Sequence, residues 1–313
     1  MSRSVVVIGN FDGVHPGHQA VLAQARDLEP KRRLVVVTFW PHPVSVLHPE
    51  SPPMLLTSLE GRVELLQAFG ADQVQVVGFT PEFARRSPRD FVKNVLMPLR
   101  PARVVVGENF RFGAGACGSV ETLRRLGEGR FETTALPLVR FGDEETCSTR
   151  IRQALEDGDV VLAARHLGRP VRFRGVVVHG DQRGRQLGFP TANLPVPQYR
   201  ACPADGVYAG WVWEGHHVLP GSPSPANRWP AAISVGTNPT FDGPDRRVES
   251  HILDRDDLEL YDRPITVEFT RRLRGQIRFN GVEELIAQLN SDVARTRDLL
   301  AAEGSAPLGA TTS

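Results

Sequence analysis

Residues 9–18 read GNFDGVHPGH and decide the fold, because a buried strand is predicted to end there and a helix to begin. The preceding residues 5–8 form a β-branched run without polar alternation, which is typical of a strand covered on both faces in a parallel sheet. The glycines of the stretch permit a tight turn, and Pro16 suits the first position of a helix that continues to about Leu28. Junctions of this kind are where α/β sheets bind ligands.

His15 and His18 lie three residues apart at the predicted helix start, so both side chains face the same side of its first turn. The first-turn amides and the positive end of the helix dipole favour an anion. Both imidazoles could stabilise the charge that develops on a phosphoryl group. Two histidines at a helix start are, on their own, more often ordinary residues. The strand, glycines and proline around this pair favour the phosphate-binding interpretation.

The composition is that of a globular protein with room for two domains: 313 residues, 41% hydrophobic and 23% charged. A net charge of +1 gives no electrostatic argument for nucleic acid or a membrane surface as a partner. Lys31 and Lys93 are the only lysines. Phosphate chemistry in the second half must therefore depend on metal ions, main-chain amides and arginine.

Compartment is indicated by cysteine usage and by hydropathy. Cys117, Cys147 and Cys202 are scattered without metal-ligand spacing, which fits a reducing compartment. No apolar run has the length of a membrane span, and the first residues do not resemble a signal peptide. We therefore expect a cytoplasmic protein.

Buried strand patterns alternate with helical patterns through the first half, which favours a doubly wound, Rossmann-like parallel sheet. The further predicted strands are 34–39, 74–79, 104–106 and 133–138, and the predicted helices between them are 58–69 and 88–97. The pattern changes near residue 170, after a helical connector. Strand runs then follow one another at 171–179, 207–213, 231–235, 248–253 and 265–270, separated in one place by a Pro- and Gly-rich loop at 215–228.

These runs predict a small antiparallel β-barrel, followed by a long amphipathic helix from residue 282 to about 300. The expected fold class is therefore α/β plus β. The expected boundaries are a first domain at 1–158, a connector at 159–169, a second domain at 170–302 and a disordered tail at 303–313.

Two further stretches in the first half carry candidate ligand groups. Residues 107–113, GENFRFG, follow the fourth predicted strand and so lie at the ligand-binding edge of the sheet. Residues 148–152, STRIR, place hydroxyls and arginines at a helix start, where they could bind a second anion. The plainer alternative is a capped helix with solvated arginines.

Residues 180–193, GDQRGRQLGFPTAN, form a glycine-rich loop that ends in two short polar side chains. Thr191 and Asn193 alternate along an extended chain stiffened by Pro190, so they point to the same side. Their oxygens suit a hard cation such as Mg²⁺, which usually accompanies a nucleotide phosphate. The alternative is a long turn between barrel strands.

Together these motifs resemble those of a known enzyme family. GNFDGVHPGH is similar to the HxGH signature of nucleotidyltransferases, and with STRIR and the FRFG loop it resembles bacterial FAD synthetases. The PTAN ending, GTNPTF at 236–241 and VESHILD at 248–254 resemble riboflavin kinases. The motifs occur in order over about residues 5–300, so the chain resembles bifunctional riboflavin kinase/FAD synthetases. Asn109 and Cys147 stand where an acidic residue and a serine are common in that family.

The resemblance implies that the first domain adenylylates FMN to FAD with release of pyrophosphate, and that the second phosphorylates riboflavin to FMN with ATP and Mg²⁺. It implies catalytic roles for Glu249, as base, and for His15 and His18. It implies adenylyltransferase ATP contacts from Gly9, Phe11, Asp12, His15, His18, Asn109, Ser148, Thr149 and Arg152. It implies kinase ATP and magnesium contacts from Gly180, Gly188, Pro190, Thr191 and Asn193, with Thr191 and Asn193 as metal ligands.

Candidate flavin contacts are the aromatic residues Phe110, Phe112 and Phe241, together with Arg274. The expected partners are the small molecules riboflavin, FMN and ATP, without nucleic acid or membrane.

Several alternatives remain open. The first domain could adenylylate another substrate or act on tRNA, although the near-neutral charge does not favour tRNA. The chain could instead be a flavin-sensing binding protein, although a sensor has no need of a base such as Glu249. Glu249 could be a solvated strand residue, in which case His251, two positions along on the same strand face, is the next candidate base.

Overall fold

The computed structural model describes residues 3–137, 140–141, 144–145, 147–180, 187–215, 225, 227–240 and 243–304. The chain divides into two compact units. The first comprises residues 1–150 with the short segment 199–201, and the second comprises 151–198 and 202–313. Each unit has its own sheet and its own core.

The first unit is built on a five-stranded parallel sheet with strand order β3-β2-β1-β4-β5. Its strands are β1 Ser4–Ile8, β2 Arg33–Trp40, β3 Gln73–Gly78, β4 Pro101–Gly107 and β5 Glu132–Leu136. The order runs 3-2-1 in one direction and 4-5 in the other, so it reverses between β1 and β4. A doubly wound sheet opens its ligand crevice at the carboxyl ends of the strands on either side of such a reversal.

Helices and a small hairpin complete the first unit. The helices are α1 Pro16–Leu28, α2 Pro43–Leu47, α3 Leu59–Ala68, α4 Pro81–Ala84, α5 Pro88–Phe91 and α6 Val120–Gly127. Helix α5 continues as a π-helical turn over Val92–Leu96 and a 3₁₀ turn over Met97–Leu99. Strands β6 Arg140–Phe141 and β7 Glu144–Glu145 pair antiparallel.

The core of the first unit lies on both faces of its sheet. Val6 and Ile8 of β1 pack into a cluster with Leu96 and Leu123. Their neighbours on the opposite face of the strand, Val5 and Val7, belong to a second cluster that includes Leu22 and Leu66. Burial of alternate residues on opposite faces explains why the sequence shows an unbroken apolar run there.

The second unit is a six-stranded antiparallel sheet with strand order β8-β13-β10-β11-β12-β9. Its strands are β8 Val171–Val176, β9 Ala192–Pro195, β10 Gly206–Glu214, β11 Trp229–Thr240, β12 Gly243–Ile252 and β13 Pro264–Arg274. The two outer strands approach each other, because the amide of Val178 donates to the carbonyl of Asn193 at 2.9 Å. This contact nearly closes the sheet into a barrel.

Three helices follow the first sheet along the chain: α7 Ser148–Glu156, α8 Val160–Leu167 and α9 Val282–Gly304. Helix α8 packs on β8 and β13. The end of α7 and the turn after it are tied to the barrel, because Ala204 donates to the carbonyl of Leu155 and Arg272 donates to that of Asp157. Residues 151–169 therefore belong to the second unit by contact.

The predicted fold class is confirmed: a Rossmann-like parallel sheet precedes a small antiparallel barrel with a long helix after it. The sequence did not indicate helix α6, and it treated β9 as the end of a loop. Most of the loop predicted at 215–228 lies outside the described residues, as do residues 305–313 of the predicted tail, whereas Glu303 and Gly304 end helix α9.

Candidate active sites

The loop after β1 has an unusual backbone. Phe11 has φ 53°, Gly13 has φ 87° and Val14 has φ 40°. The left-handed region is rare for non-glycine residues and especially for β-branched ones, so this conformation must be enforced by its surroundings. The loop ends at His15, the N-cap of α1, and Pro16 opens the helix as expected.

The two histidines of the motif lie against each other. Their rings are stacked with centroids 3.7 Å apart and an interplanar angle of 23°. Phe11 meets the ring of His18 edge-on at 5.1 Å. His15 is 6% exposed. Both predicted catalytic histidines are therefore held as one packed pair at the amino end of α1, where the amides of the first turn also lie.

Asp12, predicted to contact ATP, has its carboxylate directed into the protein and is 1% exposed. It accepts hydrogen bonds from the main-chain amides of Leu56 and Thr57, each at 3.0 Å, and from the Thr57 hydroxyl at 3.0 Å. The guanidinium of the fully buried Arg62 lies 3.4 Å from it. The Asp12 carboxylate therefore binds groups of the protein itself: residues 56 and 57 and the side chain of Arg62. Its main-chain carbonyl accepts a hydrogen bond from Ser148.

That contact brings two of the predicted motifs together. The Ser148 hydroxyl, at the start of α7, donates to the carbonyl of Asp12 at 2.8 Å. Thr149 is exposed and Arg152 is half-buried on the same helix. The motifs at 9–18 and 148–152 are thus joined at the same loop, although about 130 residues separate them in sequence.

The predicted loop after β4 lies at the same edge of the sheet, because β4 is the direct neighbour of β1. Asn109 is exposed there, Phe110 is half-buried and Phe112 is buried. The rings of Phe110 and Phe112 are stacked with centroids 5.3 Å apart. Gly9, whose amide donates to the carbonyl of Val37, lies across from them on the β1 side.

An aromatic cavity of about 560 Å³ opens between these loops. Gly9 and Asn10 line it after β1, and residues 110–113 line it after β4. The remaining phenylalanines come from strand β2 and from other loops and helices: Phe39, Phe79, Phe83 and Phe91. His48, Arg86 and Arg111 add donors at the same cavity. A planar aromatic ligand with an anionic group matches such a lining.

In the second unit, the predicted PTAN motif leads directly into strand β9. Asn193 is 6% exposed, and its side-chain amide donates to the main-chain carbonyl of Thr191 at 3.1 Å and to its hydroxyl at 3.3 Å. A Cβ on Gly180 would lie 2.7 Å from the Asn193 amide nitrogen, so a larger residue there would displace the Asn193 side chain. The predicted magnesium ligands are therefore adjacent.

Glu249 lies on β12 directly opposite Asn193 of β9, and directly opposite Ser234 of β11 on its other side. Directly paired residues of antiparallel strands project from the same face. Glu249 is half-buried and lines a cavity of about 370 Å³. Gly236 and a set of polar residues line it as well: Asp205, Ser234, Thr237, Arg247 and Gln276.

A second cavity in this unit, of about 660 Å³, contains Thr191 and Asn193 together with Gly180, Gly188 and Pro190. All five predicted kinase nucleotide contacts are thus gathered at one cavity. Arg255 and Asp257 also line it, and the hydrogen bond from Arg255 lowers the pKa of the Asp257 carboxyl group. Apolar walls from Leu260 and Tyr261 lie beside these charged groups.

His251, the alternative base, has a structural contact. Its Nδ1 lies 2.9 Å from the carbonyl oxygen of Pro190, and the ring of Phe189 meets it edge-on at 5.2 Å. Its ring therefore supports the PTAN segment.

Of the two remaining candidate flavin contacts, only Arg274 can be placed, and it does not line any of these three cavities. Phe241 lies outside the described residues. Arg274 makes a two-pronged ion pair with Asp292 of α9, with nitrogen–oxygen distances of 2.7–3.1 Å. The side chain of Asp292 is 2% exposed, so this pair fastens α9 to the barrel.

Metal binding in these sites would depend on oxygen ligands. Within the described part of the chain, no three His, Cys, Asp or Glu side chains are grouped so that they could hold a metal ion. The hydroxyl of Thr191 and the amide oxygen of Asn193 are hard donors of the kind that Mg²⁺ accepts alongside phosphate oxygens and water.

Sequence reasoning missed Thr57, Arg62 and most of the phenylalanines around the aromatic cavity. A signal for Arg62 was present: it precedes Leu65 and Leu66 by three and four residues, which places an arginine on the apolar face of α3. The phenylalanines gave no local signal, because they come from separate elements.

The fold, with a candidate nucleotide site in each unit, is that of an enzyme of phosphate-group transfer. Family models agree with this division: a FAD synthetase model matches residues 1–150 and a riboflavin kinase model matches residues 167–300. The chain belongs to the family of bifunctional riboflavin kinase/FMN adenylyltransferases.

Relatives with that name match along nearly the whole chain. One from Listeria monocytogenes is 37% identical over 304 residues, which are 96% of this chain and 93% of the relative. One from Escherichia coli K12 is 37% identical over 299 residues, 94% of this chain and 92% of the relative. One from Bacillus subtilis is 34% identical over 93% of this chain and 90% of the relative.

A crystal structure named as a macrolide-efflux protein from Streptococcus pneumoniae also matches, with a TM-score of 0.82 and 33% identity over 95% of this chain and 94% of that one. Among the helices of the described residues, none has the length and apolar character needed to cross a membrane.

Proposed function

We propose that the first unit carries the FMN adenylyltransferase activity of the family and the second unit carries its riboflavin kinase activity. The chain thus converts riboflavin to FMN and then FMN to FAD, with riboflavin, FMN and ATP as substrates. The matches of two family models to successive parts of the chain support this division. We further propose functional boundaries at 1–158 and 170–302, with a connector between them, and a cytoplasmic location.

In the first unit, the triphosphate of ATP lies over residues 9–18. A phosphate oxygen of FMN attacks the α-phosphorus, the bond to the β-phosphate oxygen breaks, and pyrophosphate leaves. His15 and His18 donate to phosphate oxygens on which negative charge grows during this exchange. Ser148 and Thr149 contact the same phosphates from the start of α7. The Ser148–Asp12 hydrogen bond supports this convergence.

The flavin of FMN occupies the aromatic cavity of the first unit. Its ring system stacks on the Phe110 and Phe112 side, and its phosphate extends toward Gly9 and the histidines. The cavity supports this placement because it is lined by both residues 110–113 and the beginning of the 9–18 loop. The phosphate of an FMN bound in this cavity would therefore reach the predicted phosphate site at residues 9–18.

In the second unit, Glu249 accepts the proton of the terminal ribityl hydroxyl of riboflavin as that oxygen attacks the γ-phosphorus of ATP. ADP leaves as the bond to the γ-phosphate breaks. The observation that carries this proposal is the direct opposition of Glu249 and Asn193 on neighbouring strands. This register supports a base close to the residues proposed to hold the nucleotide phosphates, with Glu249 at the 370 Å³ cavity and Thr191 and Asn193 at the 660 Å³ cavity.

Mg²⁺ fits the oxygen donors of Thr191 and Asn193. When bound it would neutralise charge on the ATP phosphates. The chain itself orients those donors, since the Asn193 amide is anchored on Thr191 and Gly180 packs against it.

The test is a product analysis. Purified protein incubated with riboflavin, ATP and MgCl₂ should form FMN first and FAD afterwards, resolved by chromatography. When FMN is supplied in place of riboflavin, FAD should form without any kinase step. Binding of riboflavin without turnover would indicate a flavin sensor, and adenylylation of another acceptor would indicate a different nucleotidyltransferase.

A further inference from the structure

A buried polar network lies beneath the loop that carries the two histidines. Its central members are Asp12, Thr57 and Arg62, which are 1%, 5% and 0% exposed. They come from three different places in the chain: the loop after β1, the segment before α3, and α3 itself.

Thr57 is the junction of this network. Its hydroxyl donates to the Asp12 carboxylate at 3.0 Å and accepts from the Gly13 amide and from Nε of Arg62, each at 3.3 Å. A single hydroxyl therefore connects the side chain of Asp12 and the main chain of its neighbour to the buried guanidinium.

Arg62 extends the network to the next strand. Its Nη1 donates to the carbonyl of Phe39 at the end of β2 at 3.3 Å, and its guanidinium lies over the ring of Trp40 at 5.4 Å. The loop after β1 is thereby fixed to the end of β2 at the carboxyl edge of the sheet.

Such fixing is needed because Phe11 and Val14 both occupy the left-handed region. A β-branched residue leaves that region unless contacts around it oppose the change. His15 follows Val14 directly and His18 is one turn further, so relaxation of the loop would displace both imidazoles from the phosphate site.

Charge gives the network a second role. Asp12 lies in the same loop as the proposed phosphate-binding histidines, and an unpaired carboxylate there would oppose a bound polyanion. Arg62 and three donors from residues 56 and 57 surround that carboxylate. The loop thus keeps its acidic residue without losing its affinity for phosphate.

We propose that Asp12, Thr57 and Arg62 are positioning residues for adenylyl transfer, which set the conformation of residues 11–14 and thereby the places of His15 and His18. The proposal rests on the proposed function of the first unit. It assigns positioning roles to Thr57 and Arg62. For Asp12, it assigns the carboxylate to the buried network and not to the bound nucleotide.

Thr57→Val and Thr57→Ser test the proposal as a pair. Valine keeps the volume and loses the hydroxyl, whereas serine keeps the hydroxyl. Thr57→Val should lower kcat for FAD synthesis by about a hundredfold, because small displacements of catalytic groups have effects of this size. The KM for FMN should change by less than about threefold, since the aromatic cavity is untouched. Thr57→Ser should recover most of the lost rate.

Ser58→Ala is the matched control. Ser58 is the N-cap of α3, and its hydroxyl accepts from Gly61 at 3.1 Å outside the network. This variant weakens the same segment of chain, so it should reduce thermal stability while FAD synthesis per folded molecule stays at the wild-type rate. FMN formation by the second unit should be unchanged in all variants.

The rates of these variants support or overturn the positioning role. Thr57→Val with kcat within threefold of wild type, or Thr57→Ser as slow as Thr57→Val, overturns the positioning role. If Thr57→Val fails to fold by thermal melting, the neutral pair Asp12→Asn/Arg62→Met replaces it, with a loss of at least about tenfold expected and near-wild-type rates refuting the proposal. A wild-type protein that makes no FAD would refute the proposed function itself, and the inference with it.

Discussion

Glu249 and Asn193 face each other across strands β12 and β9, in a directly paired register position. The carboxylate proposed as base and an amide proposed to hold Mg-ATP therefore project from the same face of the barrel. In sequence they are 56 positions apart, and only the pairing of β9 at the end of the sheet brings them together.

Glu249→Gln should therefore lower kcat for FMN formation by roughly a hundredfold to ten-thousandfold. Glutamine keeps the size and hydrogen bonding of the side chain but cannot accept the proton. ATP binding, followed by calorimetry, should change little, and FAD synthesis from supplied FMN should be unaffected. His251→Asn is the companion variant: because His251 contacts the Pro190 carbonyl, kinase kcat should fall by less than about tenfold. The opposite ranking of the two variants would make His251 the base.

His18→Ala should lower FAD synthesis by about a hundredfold to a thousandfold and spare FMN formation. The ring of His18 stacks on that of His15 at 3.7 Å, so His15→Ala should have a similar effect. Because the two rings are in contact, the increase in activation free energy in the double variant should be smaller than the sum of the two single increases. Steady-state rates of both activities on the same preparation provide the measurement. Loss of both activities together would contradict the two-centre proposal.

Arg274→Met should destabilise the second unit by about 3 kcal/mol or more, because it leaves Asp292 buried without its ion-pair partner. The double variant Arg274→Met/Asp292→Leu removes both charges and should recover much of that stability. Urea unfolding gives the free energies. If Arg274 instead contacts the flavin, the KM for riboflavin will rise in both variants while stability changes little.

A fragment of residues 151–304 should fold alone and convert riboflavin to FMN without making FAD. A fragment that starts at residue 165 should also form FMN, but it lacks the carbonyls of Leu155 and Asp157 and the buried Val160 of α8. We expect it to be less stable by about 2 kcal/mol or more. Thermal melting and FMN production compare the two. A folded but inert fragment of 151–304 would contradict the assignment of the kinase to this unit.

The sequence by itself determined the classes of both units. Residues 5–8 have no polar alternation because both faces of β1 are buried, and residues 9–18 contain the proline, glycines and histidines of a strand-to-helix junction. Patterns of this kind are local: a helix or strand is encoded by neighbours within a few positions. For the same reason, the sequence pattern predicted the change near residue 170 from alternating strands and helices to successive strands.

Tertiary structure decided how the separate elements meet. The order β3-β2-β1-β4-β5 places the loops after β1 and β4 side by side, and the aromatic cavity between them draws phenylalanines from elements spread along the first unit. Asp12 faces inward because Arg62 and the amides before α3 are there to receive it. Arg274 likewise pairs with Asp292 of α9. Such partners are distant in sequence, and a buried charge takes its orientation from the groups that compensate it, so only the packed chain determines which way it points.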